Sequence, residues 1–231
     1  MVAIAARRWL CLGVATVAAT LVATTVSAQA LDAVRMPLWD AGASLAAAQT
    51  RASELGYEYD YWESQWEPGI QLGRYLTPHL KLEMSVRGPM QYHFYEDEPV
   101  PVPAIPGGIG RSIVDSEIQL FSLAPAVTWQ FFENTFVHPY VSVGVAVDVA
   151  NIHRSREAHI ETFYLTRGSV SYPVPALDTR EIDVRAYPFL AAGSKSYFAN
   201  GRWFVRPEIE IGVGRSRVAQ YSMRLGVGVD F

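Results

Sequence analysis

Cysteine is almost missing from this 231-residue chain: the single one, Cys11, lies close to the amino terminus. The body of the protein therefore has no disulfide framework and no thiolate chemistry. Long apolar runs are missing too. Half of the residues are hydrophobic, yet beyond the first thirty no stretch reaches the ~18 consecutive apolar side chains of a membrane-spanning helix, which excludes a helical membrane protein. Positive charge is also scarce. Nineteen Lys and Arg face 23 Asp and Glu, a formal charge of -4, and no basic stripe exists for a nucleic-acid partner.

The first thirty residues read as an export signal. Arg7 and Arg8 precede a run from Trp9 to Val26 that is apolar apart from threonines and Gly13, and small-residue cleavage sites follow at Val26-Ser27-Ala28 and Ala28-Gln29-Ala30. A basic start, an apolar core and an A-x-A-like end make a secretory signal peptide. Residues 1–28 are assigned to it, with cleavage near 28–30, and residues 31–231 to a single domain.

What fills that domain is alternation. In the last eleven residues Tyr221, Met223, Leu225, Val227, Val229 and Phe231 are apolar, and Ser222, Arg224, Gly226, Gly228 and Asp230 stand between them. Successive strand side chains point to opposite faces, so this is a strand with one oily and one polar or very small face. Its length matches a tilted transmembrane strand of roughly 9 to 11 residues. The same pattern recurs from Trp39 to Ala47, Trp66 to Leu76, Leu80 to Phe94, Phe121 to Phe131, Tyr140 to Val149, Ile182 to Phe198 and Trp203 to Gly212. In the third of these runs, Gln91 and His93 are expected on the polar face, His93 as its cap.

Short turns are expected at Thr77-Pro78-His79, Glu133-Asn134-Thr135 and Ala199-Asn200-Gly201-Arg202, the last holding the Asn-Gly pair favoured in hairpins. Longer loops are expected at Gln49–Gln65, at the acidic, Pro- and Gly-rich Glu96–Arg111, and at Asn151–Arg180. About eight antiparallel strands, with short turns at one end and longer loops at the other, is the layout of a transmembrane β-barrel. Trp39, Trp66, Trp129, Phe131, Phe198, Trp203, Tyr221 and Phe231 fall near strand ends, where aromatic girdles sit. Pro125, Pro188 and Pro207 lie inside strands and fit neither a barrel nor a sandwich easily.

Leu123-Ala124-Pro125 leading to Trp129 and Phe131, the run His138-Pro139-Tyr140-Val141-Ser142-Val143-Gly144-Val145, Ala192-Gly193-Ser194-Lys195 and the final Phe231 resemble the small bacterial outer-membrane barrels of OmpA, OmpX and OmpW type. The resemblance implies an all-β barrel in the cell outer membrane with short periplasmic turns and longer extracellular loops. It also implies that Phe231 serves as the signal read by the barrel assembly machinery. Outer-membrane lipid and lipopolysaccharide would be the other partners, with a possible extracellular ligand at the loops and no cofactor.

Chemistry is thin. An eight-stranded barrel is just wide enough for side chains to fill it, so Lys81, Glu83, Arg87, Asp148, Lys195, Arg206, Glu208, Glu210 and Arg224 are expected to pair inside as a charge network. A narrow channel for small solutes or ions is the alternative. His153 and Ser155, two apart on one strand face, resemble the His-x-Ser pair of outer-membrane lipid A deacylases, in which an imidazole activates a hydroxyl. That pattern continues with Asn, whereas Arg156 stands here. A polar, charged loop is the plainer reading, and the protein is not expected to be an enzyme. No metal-ligand spacing stands out around His153, Glu157, His159 and Glu161. Tyr57, Tyr59, Tyr61 and Trp62 are candidate recognition residues of the first long loop. A structural or surface-interaction role follows.

Overall fold

A computed structural model describes residues 38–55, 61–131, 136–165, 168–214 and 217–231. The expected signal peptide, Tyr57, Tyr59 and the turn at 133–135 lie outside the described residues. Among the described residues ten strands form: β1 (Trp39–Arg51), β2 (Trp62–Tyr75), β3 (Leu80–Pro101), β4 (Ile109–Gln130), β5 (Val137–Arg156), β6 (His159–Leu165), β7 (Gly168–Val174), β8 (Leu177–Phe198), β9 (Trp203–Val213) and β10 (Val218–Asp230). Eight of them close into a barrel in the order β1-β10-β9-β8-β5-β4-β3-β2, and β6 and β7 make a separate two-stranded sheet. The all-β, eight-stranded antiparallel barrel expected from the alternation is the fold observed.

Closure joins the two ends of the described chain. β1 pairs with β10 from Asp40↔Asp230 to Thr50↔Gln220, and Trp39 and Phe231 exchange backbone hydrogen bonds of 2.9 Å in both directions. Short connections at 76–79, 131–136 and 199–202 alternate with those at 52–61, 102–108, 157–176 and 214–217.

The chain divides into two compact units. The first comprises the segments up to Gly88, Ser122–Val147 and Ala186–Phe231; the second comprises Pro89–Phe121 and Asp148–Arg185. In the first unit the oily face of each strand is the exposed one. Ile70, Leu72, Met84, Val86, Leu123, Val127, Val143, Val145, Leu190, Leu225 and Val227 all stand on the surface, and Lys81, Glu83, Arg87, Lys195, Arg206, Glu208 and Glu210 are buried. The interior also takes rings. A Cβ on Gly228 would overlap Phe204, and one on Gly144 would press on Phe189.

The strand prolines are accommodated on the outward face. Pro68, Pro125 and Pro188 are exposed, and Pro68 and Pro207 keep ladder register opposite Leu45 and Leu225. Arg74, which interrupts the oily parity of β2, also points outward, its guanidinium 5.4 Å from the Trp39 ring centroid.

The second unit buries apolar side chains on β3 and β4, while Val149, Ile182 and Val184 stay exposed and Asp148 is buried. Met90, Tyr92 and Phe94 of β3 and Val114, Ile118 and Leu120 of β4 are buried, whereas Gln91, His93, Arg111, Glu117 and Gln119 are exposed. On β3 the exchange of faces happens at Gly88. Its φ of +104° inserts one residue into the alternation, in the manner of a bulge, so the inward set moves from odd to even positions. His93 and Gln91 were expected on the polar inner face, and this shift turns both outward. The unit has a small core of its own in Val100, Val102, Tyr172 and Val174, with Ile105 and Val170 packed on it.

Three loop expectations are corrected. β1 continues to Arg51 and β2 starts at Trp62. The acidic, proline-rich stretch Glu96–Arg111 is mostly strand, because β3 runs to Pro101 and β4 starts at Ile109. The stretch Asn151–Arg180 holds the end of β5, the β6–β7 hairpin and the start of β8. Composition marks breakers but not the long-range pairing that overrides them.

Candidate functional site

The polar positions of β1, β2, β3, β8, β9 and β10 converge inside the first unit on one chain of ion pairs. Asp40 takes Lys81 Nζ at 2.8 Å and Lys195 Nζ at 2.9 Å. Lys195 also reaches Asp230 at 2.5 Å and donates to the Tyr75 hydroxyl at 2.7 Å, and its ammonium lies 3.9 Å from the Phe204 ring centroid. Tyr197 donates to the other Asp230 oxygen at 2.6 Å. Lys81 passes the chain to Glu83 at 2.6 Å, and Glu83 to Arg206 at 2.6 Å.

Arg206 pairs with Glu208 at 2.6 Å and donates to the Tyr140 hydroxyl at 2.5 Å, which donates to Glu208 at 2.8 Å. Arg224 joins Glu208 at 2.9 Å, Glu210 at 3.5 Å and Glu67. Arg87 takes Glu210 in a two-pronged pair at 2.5 and 2.6 Å and lies 3.9 Å from Glu67, which closes the chain on itself.

Eleven charges thus lie in one network: the cations of Lys81, Arg87, Lys195, Arg206 and Arg224 and the carboxylates of Asp40, Glu67, Glu83, Glu208, Glu210 and Asp230. Taking an ion out of water costs several kcal/mol even after relaxation, so such charges persist only where opposite charges and hydrogen bonds compensate them. Here nearly every donor finds a carboxylate oxygen or a phenol. The arrangement ties six strands together through the interior.

Of the charges expected in the lumen, eight belong to this network. Asp148 is the ninth; it is buried but falls in the second unit. Asp40, Glu67, Asp230, Tyr75, Tyr140 and Tyr197 were not anticipated as members. Parity could have found them, since each stands opposite the oily positions of its strand.

The remaining candidates are separate. His153 Nε2 lies 3.0 Å from Asp178, and among the described residues no hydrogen bond joins it to Ser155, so the imidazole-activated hydroxyl of a deacylase is not assembled. His159 is tied to Glu161 at 3.2 Å and to the Glu157 carbonyl at 2.8 Å, with the Ser112 hydroxyl 3.4 Å from the same Nε2 that meets Glu161. No group of three His, Cys, Asp or Glu side chains suited to a metal occurs among the described residues.

Tyr61 is exposed. Trp62 meets Tyr221 edge to face at 4.9 Å under the Arg51 guanidinium, 4.6 Å from its ring centroid. Phe231 has its ring on the surface.

Comparison with known proteins places the fold. Neisserial surface protein A superimposes with a TM-score of 0.52 at 13% identity, over 84% of this chain and 97% of that one. The two chains share one barrel fold. The attachment invasion locus protein Ail of Yersinia pestis gives a TM-score of 0.47 at 10% identity, over 85% of this chain and all of that one. The N-terminal barrel of Pseudomonas aeruginosa OprF gives 0.40 at 16% identity, over 82% and 97%. No protein-family model matches the sequence, and no curated protein does.

Proposed function

We propose that this protein is an integral barrel of the bacterial outer membrane, with a structural or surface-interaction role and a lumen closed by its own side chains. One observation carries the reading: in the first unit the apolar face is exposed and the charged face is buried and paired. In water such an exterior would be a large contiguous apolar surface, which soluble monomers avoid; against lipid tails it is the expected one, and an aromatic rim of Trp39, Trp66, Trp129 and Trp203 suits the interfaces. The export signal expected from the amino-terminal sequence agrees with that compartment. On this reading the connections at 102–108 and 157–176 face the outside of the cell, and lipopolysaccharide is the surrounding lipid.

The second unit, with its own core and a surface that mixes charged and apolar side chains, is the part suited to meeting partners. The test has two arms. The mature protein in detergent should migrate differently on SDS gels with and without boiling, and it should give no single-channel conductance in planar bilayers. A protein that stays soluble and monomeric without detergent would overturn the membrane assignment, and steady conductance would overturn the closed lumen.

A further inference from the structure

The β6–β7 hairpin stands apart from the barrel ladder. Its strands pair with each other from His159↔Val174 to Leu165↔Gly168, and among the described residues neither has a further strand at its other edge. An open edge is a row of N–H and C=O groups ready to pair with another chain, and proteins usually blunt it with proline, glycine, lysine or a bulge. β7 is blunted: it carries Pro173, which has no N–H, and starts at Gly168 with φ +136°.

β6 is not blunted. Its sequence, His-Ile-Glu-Thr-Phe-Tyr-Leu, has no proline, glycine or lysine and is rich in residues that favour strands. Ile160 and Tyr164, two steps apart on one face, are among the most exposed large side chains of the protein, at 74% and 82%. The other face of the hairpin is occupied, since Tyr172 and Val174 are buried in the core with Val100 and Val102, and the Tyr172 hydroxyl donates to Glu161 at 3.1 Å. The hairpin is therefore held from one side and offers its other face and one edge.

Charge narrows the partner. The second unit carries eleven Asp and Glu against six Arg and no Lys, an excess of five negative charges. We propose that β6 is a docking edge for an extended, cationic peptide segment of another protein, which adds as a strand beside β6 and sets its alternate apolar side chains on Ile160 and Tyr164. Main-chain hydrogen bonds supply affinity and the alternate side chains supply selectivity in this mode of recognition. The inference rests on the surface-interaction reading above, because β6 must face solvent outside the cell.

The experiment uses the full mature protein in lipid nanodiscs and fluorescent peptides read by anisotropy. A short peptide alternating lysine with valine should bind; the same peptide with proline at its centre, and one alternating glutamate with valine, should not. Ile160→Ser with Tyr164→Ser should weaken binding by roughly tenfold, the effect of about 1.4 kcal/mol, with the heat-dependent gel shift retained. Lysine at both positions should abolish it. Equal binding of the proline-interrupted peptide would overturn the strand mode in favour of charge alone, and unchanged binding by the serine variant would overturn the site. Cross-linking of Tyr164→Cys between two copies without peptide would replace the foreign segment by a second copy. A retained gel shift with no peptide binding defeats this inference alone, whereas loss of the shift in the unmodified protein defeats the membrane reading beneath it.

Discussion

The two units of this protein fill their interiors differently. In the first, eleven buried charges fill the middle and the oily residues face outward; in the second, Val100, Val102, Tyr172 and Val174 form an apolar core, and the surface mixes charges with exposed side chains such as Ile113, Ile182 and Val184. Four strands, β3, β4, β5 and β8, contribute residues to both units. A strand's pattern therefore does not reveal its inside unless the surrounding solvent is known, because alternation is symmetric and only the medium decides which face is buried.

That contrast can be broken from either side. The largest effect is expected at the ion chain. Lys195→Met removes the partner shared by Asp40 and Asp230 and leaves buried carboxylates short of compensation, at a cost of about 3–5 kcal/mol. Denaturant unfolding in detergent, followed by the gel shift, measures it.

Next comes a paired test on the exteriors. Leu225→Arg in the middle of β10 should cost about 2–4 kcal/mol because it places a cation against lipid, while Ile113→Arg on the exposed face of β4 in the second unit should stay within about 0.5 kcal/mol. Equal effects would erase the distinction between the units. A smaller loss, about 2 kcal/mol, is expected for Val174→Ala in the second core, and it should appear as faster proteolysis at β6–β7 with the barrel's gel shift unchanged.

The smallest effect concerns pH. The Glu157 carbonyl first, and the Glu161 carboxylate second, hold the His159 imidazole above its usual pKa of 6.5. Both partners only accept hydrogen bonds, so the imidazolium form alone can donate to both. Because the folded value is the raised one, this tie is complete below pH 6.5 and fades as the pH climbs through the folded pKa. Amide protection factors across β6–β7, with the intrinsic base-catalysed rate divided out, should fall modestly from pH 6 to pH 8, and His159→Gln should flatten that dependence.

Much of the barrel was legible because its strands alternate without compromise. From Leu123 to Phe131, from Val141 to Val149 and from Tyr221 to Phe231, the oily positions read directly as the outward face. Eight of the eleven network charges could be named the same way. Asp40, Glu67 and Asp230 were passed over although they share the parity of the others; what parity lacks is the distance that makes them partners of Lys195 and Arg224.

The second unit was the harder part. Pro99, Pro101 and Gly107 suggested a loop from Glu96 to Arg111, yet β3 reaches Pro101 and β4 resumes at Ile109, so strand pairing outweighed local breakers. Gly88 was ordinary in sequence, but its positive φ reverses the faces of everything after it on β3 and accounts for His93. The β6–β7 hairpin went unread, since seven-residue strands inside a charged stretch give little periodic signal.

The seam between β1 and β10 has a kinetic consequence. Asp40 meets Asp230, so the ring closes only by bringing together residues separated by nearly the whole length of the domain. Contacts of such long sequence separation carry a large closure entropy and slow folding. Until that meeting, β1 and β10 are both bare edges, and the growing ribbon needs either a lipid surface or a helper protein to keep it from pairing with its neighbours.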